Sequence, residues 1–154
     1  SSFCYTSITI SSSDLLTDNL SLSSTMNLYQ NGTTATGLDE CNYHRVNVPT
    51  GTNFVLISES AALNTSGANY LYIINKNTDV TDYVTVSVRS EVIGHLYAGD
   101  WMFVPYSDAT TATTAVGDPG GDDSDIAIQA NTHECIVEYA LFHVGETLLT
   151  HEAS

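Results

Sequence analysis

The sequence predicts an all-β fold: one antiparallel β-sandwich, jelly-roll-like, with about eight to ten strands. Three observations carry that expectation. Short runs alternate apolar and polar residues, as in Tyr83–Val88 (YVTVSV), or are apolar almost throughout, as in Tyr70–Asn75 (YLYIIN). Asn, Asp, Gly and Pro stand between the runs. No apolar pattern of helical period and length separates them, which disfavours parallel βαβ units. The 154 residues suffice for one domain with a buried core, taken as residues 1–154.

Phe3–Ile10 (FCYTSITI) reads as a first strand, and Leu20–Gln30 as a second through the alternation of Leu20, Leu22 and Leu28. Between them Ser11–Asn19 is polar, and Ser13 or Asp14 is placed to cap a short helical turn. Asn31–Asp39 opens with Asn-Gly and reads as a loop. Cys41–Val48 is a third strand ended by Pro49, and Asn53–Ile57 a fourth. Glu59–Leu63 has the makings of one helical turn. Tyr70–Asn75, the loop Lys76–Asp82 and Tyr83–Val88 follow, with Val84, Val86 and Val88 on one face of the last. His95–Tyr97 and Trp101–Val104 flank a tight turn at Ala98-Gly99-Asp100, and Pro105 ends that pair. Asp108–Asp125 is a long polar loop, followed by strands at Asp125–Ala130 and Cys135–Val144. The last strand is apolar on both faces, with Cys135, Val137, Tyr139 and Leu141 on one and Ile136, Ala140 and Phe142 on the other. Such a strand belongs at a sheet centre or an interface.

Charge narrows the partners. Three basic residues face eighteen acidic ones, for a formal net charge of −15. Nucleic acid is disfavoured as a partner, since its affinity rests on Lys and Arg neutralising phosphates. Anionic membrane surfaces are disfavoured for the same reason, and no apolar run approaches spanning length. Other proteins, cations and uncharged glycans remain. Cys4, Cys41 and Cys135 form an odd set without close pairs and read as buried thiols of a reducing cytoplasm. No basic segment followed by an apolar core opens the chain, so no secretory signal is expected, and the leading Ser reads as following a removed Met. The sequons at Asn19, Asn31 and Asn64 are accordingly read as chance.

Chemistry is harder to find than architecture. Asp118, Asp122, Asp123 and Asp125 cluster in GDPGGDDSD, an acidic Gly-rich loop of the kind that wraps calcium, though the spacing is not that of an EF-hand. Calcium is therefore the one cofactor considered, against a solvated loop that holds none. His133 and Cys135 share a strand face, but the further ligands zinc needs do not stand at recognisable spacing. The same two residues lack the orienting partner of a thiol nucleophile, and there is no G-x-S-x-G and no phosphate-cradling loop. A non-enzymatic role is expected. The aromatic residues, Trp101 and Tyr106 among them, are candidates for an interface, as are Leu148 and Leu149 in the polar tail.

From Tyr70 onward, YLYIINKNTDVTDYVTVSV, LYAGDWMFVPYSD and DIAIQANTHECIVEYALFH together resemble small β-sandwich virion structural proteins of tailed bacteriophages. The matching residues are Asn75, Gly99, Asp100, Pro105, Val137, Glu138 and Tyr139, and the resemblance covers about half the chain. It implies a capsid decoration (cement) protein, made in the host cytoplasm and placed on the capsid exterior, with the major capsid protein or other virion proteins as partners. It also implies a homo-oligomer, a trimer, with extended arms at residues 1–20 and 145–154. A fibre or tail module that binds carbohydrate or a receptor is the alternative. A cupin-like enzyme is a third reading, for which the scattered histidines do not supply the metal set.

Overall fold

Where apolar residues recur at every second position, the chain is a strand. The structure, a computed structural model, describes residues 4–28, 40–57, 68–88, 91–105 and 126–143. They form ten strands: β1 (Tyr5–Ser12), β2 (Leu20–Asn27), β3 (Glu40–Val48), β4 (Phe54–Ile57), β5 (Ala68–Asn75), β6 (Tyr83–Val88), β7 (Glu91–Tyr97), β8 (Trp101–Pro105), β9 (Ile126–Ala130) and β10 (Cys135–His143). Among the described residues there is no helix. The Asn31–Asp39 loop, the turn at Glu59–Leu63, the Asp108–Asp125 loop and the tail at 145–154 lie outside them.

Eight strands make two four-stranded sheets, β3-β10-β5-β8 and β4-β9-β6-β7, with every strand pairing antiparallel. Along the chain the strands switch sheet at each connection except β6 to β7. That is the double Greek key of a jelly roll. The expected fold class therefore holds. β10 lies between β3 and β5, which explains why both of its faces are apolar.

One expected pairing is different. β7 and β8 do not form a hairpin: β7 pairs with β6 and β8 with β5, in opposite sheets. The tight turn between them is real and serves as a crossing. Gly99 has φ +88°, the Asp100 amide donates to the Tyr97 carbonyl at 2.8 Å, and the Asp100 carboxylate accepts from the Tyr97 amide at 3.0 Å. A positive φ at the third turn position is the requirement that glycine meets without steric cost. Flanking apolar runs and a turn residue mark a bend equally well whether the second strand returns to the same sheet or leaves it.

The core fills the space between the sheets. Val48, Leu71, Ile73, Val137, Tyr139 and Leu141 from one sheet are buried with Leu56, Val84, Val86, Ile126 and Ile128 from the other. A smaller cluster of Leu28 and Tyr70, with Cys4, Phe103 and Phe142 packed against it, sits on the opposite face of the β3-β10-β5-β8 sheet. There it fastens the root of the β1–β2 hairpin. The Leu28 amide donates to the Cys4 carbonyl at 2.7 Å and closes that root. Of the segment expected as an extended arm over residues 1–20, the described part, from residue 4, is thus the first strand and turn of a hairpin that runs on to Asn27.

Leu71 lies wholly inside the sandwich, whereas Thr9 is exposed on the hairpin. Leu71→Ala should cost about 2–5 kcal/mol of unfolding free energy. Thr9→Ala should change it by less than about 0.5 kcal/mol. Urea titration followed by circular dichroism measures both.

Candidate binding face

The register of β10 with its neighbours lays out the outer face of the β3-β10-β5-β8 sheet in rows. One row reads Arg45, Glu138, Ile74, Trp101. The next reads Tyr43, Ala140, Tyr72, Phe103, and the third Cys41, Phe142, Tyr70, Pro105. Aromatic side chains therefore run along β8 and β5, and a second tyrosine stands across the small Ala140. The Tyr72 and Trp101 rings lie 6.3 Å apart at 37°, and Tyr70 stacks on Phe103 at 5.4 Å. Tyr43 is 58 % exposed and Trp101 49 %, large values for aromatic residues on a sheet.

One carboxylate organises the polar half of this face. Glu138 accepts from the Tyr43 hydroxyl and from Arg45 Nη1 at 3.1 Å. The Tyr43 hydrogen bond, with the charges of Lys76 and Arg45, holds the Glu138 carboxyl below its ordinary range against the opposing effect of desolvation. The same bond raises the Tyr43 phenol. The chain has three basic residues, and two of them act on this single group. The outer face is thus locally charge-balanced on a strongly acidic body.

The hairpin roofs one side of that face. A cleft of about 680 Å³ lies between them, lined by Thr6, Ser7, Ile8, Ser24, Thr25 and Met26 from the hairpin and by Tyr72, Trp101 and Phe103 from the sheet. At the hairpin tip the Ser12 hydroxyl accepts from the amides of Asp14, at 3.3 Å, and Leu15, at 3.1 Å. No helical turn forms there, contrary to expectation, and the capping side chain is Ser12 rather than Ser13 or Asp14. A serine oxygen satisfies the same orphan amides in a bend as at a helix start, so the residue type alone does not separate the two.

The loops at one end of the sandwich meet in a polar network. Asn75 is fully buried. Its amide nitrogen donates to the Leu96 carbonyl at 2.9 Å, and its Oδ1 accepts from the Asn77 amide at 3.0 Å. Asn77 Nδ2 donates to Asp82 at 2.9 Å, and Asn77 Oδ1 accepts from the Ile136 amide at 2.7 Å. His133 Nδ1 lies 2.9 Å from the other Asp82 oxygen. The Cys135 thiol is buried and donates to the His133 carbonyl at 3.5 Å, and desolvation raises its pKa. A protonated thiol held by backbone carbonyls is a poor nucleophile and a poor metal ligand. These side chains tie the β5–β6 and β9–β10 loops together.

Of the residues singled out from sequence, Trp101 stands on the outer face. Tyr106, Leu148, Leu149, Asp118, Asp122, Asp123 and Asp125 lie outside the described residues. Among those described, no group of three or more His, Cys, Asp or Glu side chains is placed to hold a metal. The three thiols are free and not all buried: Cys135 is, Cys4 is half-buried and Cys41 is exposed. Cys41 alternates outward with Tyr43 and Arg45 at the sheet edge, where burial is incomplete. The partnership of Tyr43 with Glu138 is not legible in the sequence, because it crosses 95 residues and needs the β3–β10 register to be seen.

Asp82 also sets a pH response. Its hydrogen bond and charge raise the pKa of His133 above the ordinary value. The folded state therefore binds that proton more tightly than the unfolded state. The stabilisation is fully present below the unfolded pKa of about 6.5 and is lost as pH rises through the folded value. The difference in melting temperature between the natural chain and His133→Ala should be larger at pH 5.5 than at pH 9 (values set around that pKa). An unchanging difference across that range would remove the proton from the account. Against known protein families, curated proteins and solved structures, no match to this chain is found.

Proposed function

We propose that this chain is a structural virion protein, a capsid decoration protein that binds the outside of an assembled phage head and stabilises it without catalysing a reaction. The observation that carries the reading is the composition of the outer face of the β3-β10-β5-β8 sheet. Tyr43, Tyr72, Trp101, Phe103 and Arg45 gather there around one neutralised carboxylate, Glu138. Aromatic residues and Arg are the types enriched at protein–protein interfaces, and the other charged types are depleted from their cores. The partners on this reading are the major capsid protein or other virion proteins, with the chain acting as a homo-oligomer. The acidic body stays clear of packaged nucleic acid and of membranes. A protein that binds the assembled shell and not its free subunits stabilises the shell by mass action.

The cleft supports a second reading, a fibre or tail module for carbohydrate. Trp101 and Tyr72 offer rings on which a sugar can stack, and Thr6, Ser7, Ser24 and Thr25 line the opposite wall.

Sedimentation of the purified chain with intact heads separates the two. On the first reading it binds at a copy number near that of the major capsid subunit. Tyr43→Ala and Trp101→Ala each weaken the binding by roughly 10- to 100-fold, as loss of an interface anchor does. Absence from heads, together with glycan binding that Trp101→Ala abolishes, would transfer the function to the second reading.

A further inference from the structure

The β1–β2 hairpin is built against the usual rules for a strand pair in water. It makes eight consecutive pairs, Tyr5↔Asn27 to Ser12↔Leu20, without a bulge, and among the described residues no third strand joins either edge. Free edges are normally protected by Lys, Pro or bulges; this pair has none of these. Its sixteen strand residues include no charged one, in a chain of net charge −15. One face carries Tyr5, Ser7, Thr9, Ser11 and their partners, all polar apart from the Tyr5 ring. The other carries Ile8, Ile10, Leu20, Leu22 and Met26, and of these Ile8, Ile10, Leu22 and Met26 are 42–54 % exposed. Leu15 and Leu16 at the tip are 72 % and 55 % exposed. A lone two-stranded hairpin is marginal in water, and this one leaves about half of each of Ile8, Ile10, Leu22 and Met26 exposed, although Ile8 and Met26 also border the cleft.

We propose that the apolar face of this hairpin is covered by the same face of a second copy of the chain, the two hairpins lying antiparallel about a two-fold axis. This rests on the reading of the protein as an assembly component and names the partner for its arm. The occupant follows from charge and geometry. Two bodies of net charge −15 repel, so copies can meet only where charge is absent, and the hairpin strands are such a place. A partner attracted by opposite charge would find nothing to grip there. In the antiparallel arrangement the tip of one hairpin reaches the root of the other. The cleft lined by Ile8, Met26, Tyr72, Trp101 and Phe103 opens at that root and receives Leu15 and Leu16 of the second copy, the exposed Asp14 and Asp18 that flank them staying outside it in water. A face about 26 Å long and about 10 Å wide buries on the order of 600 Å² over both copies. Seating the tips in the clefts brings the total to roughly 1,000 Å², the least a biological interface is expected to bury and the size of a weak, reversible one.

Light scattering on the purified full chain tests this. The expected mass at about 50 µM is twice that of the chain, and the dimer tightens as NaCl rises from about 20 to 300 mM because screening relieves like-charge repulsion. Ile10→Asp with Leu22→Asp, and separately Leu15→Asp with Leu16→Asp, give monomers whose circular dichroism and melting of the sandwich are unchanged. A natural chain that is monomeric, or a dimer that persists in both paired variants, overturns the proposal. Binding to heads is scored separately through Tyr43, which does not line the cleft. Arm-dependent dimers that ignore heads uphold the pairing and sink the decoration reading; monomers that coat heads do the reverse.

Discussion

The alternation of side chains along β10 governs everything else. Its inward set, Cys135, Val137, Tyr139 and Leu141, is fully buried, and its outward set, Ile136, Glu138, Ala140 and Phe142, forms the centre line of the exposed face. A slip of one residue against β3 or β5 would exchange the two sets. It would drive Glu138 into an apolar core, where an unpaired carboxylate is costly, and present Tyr139 and Leu141 to water. The core thereby fixes the register, and the register fixes which groups stand beside Glu138. Stability and the layout of the outer face are one constraint seen from two sides.

That constraint decides what could be read from sequence. Period-two patterns at β6 and β10 identified strands and their buried faces, because alternation is a local property. The two-sided apolar character of β10 pointed to a central strand for the same reason. Which strands neighbour one another is not local. The Tyr43–Glu138–Arg45 group joins β3 to β10 across more than ninety residues, and nothing in either segment announces the other. The tight turn after β7 is legible on its residues, but its crossing to the other sheet is not: turn residues report a reversal of direction and not its destination.

The hairpin shows the complementary case. Leu20 and Leu22 are visible as an alternating pair; Ile10 lies opposite Leu22, and Ile8 lies further along the same face. Alternation normally signals a face against a core, and here that face stays about half exposed. The two apolar regions of the molecule thus differ in kind. One fills the sandwich and is satisfied within the chain, while the other is confined to uncharged strands and to the aromatic cleft beside them. The acidic surplus falls elsewhere, so the regions without charge are the ones suited to close approach.

The position of β10 also orders events on the ribosome. It is the last described strand of the chain, yet among the described residues β3 has no other partner in its sheet and β5 is joined to β3 only through it. While synthesis proceeds, β3 emerges about ninety residues ahead of the segment that completes it. During that interval its hydrogen-bonding edges stay open and its inward residues stay wet. The jelly roll therefore closes only once β10 has been made, in a step dominated by distant pairings. Nascent chains released before Cys135 would carry an unfinished sheet, a natural substrate for chaperones.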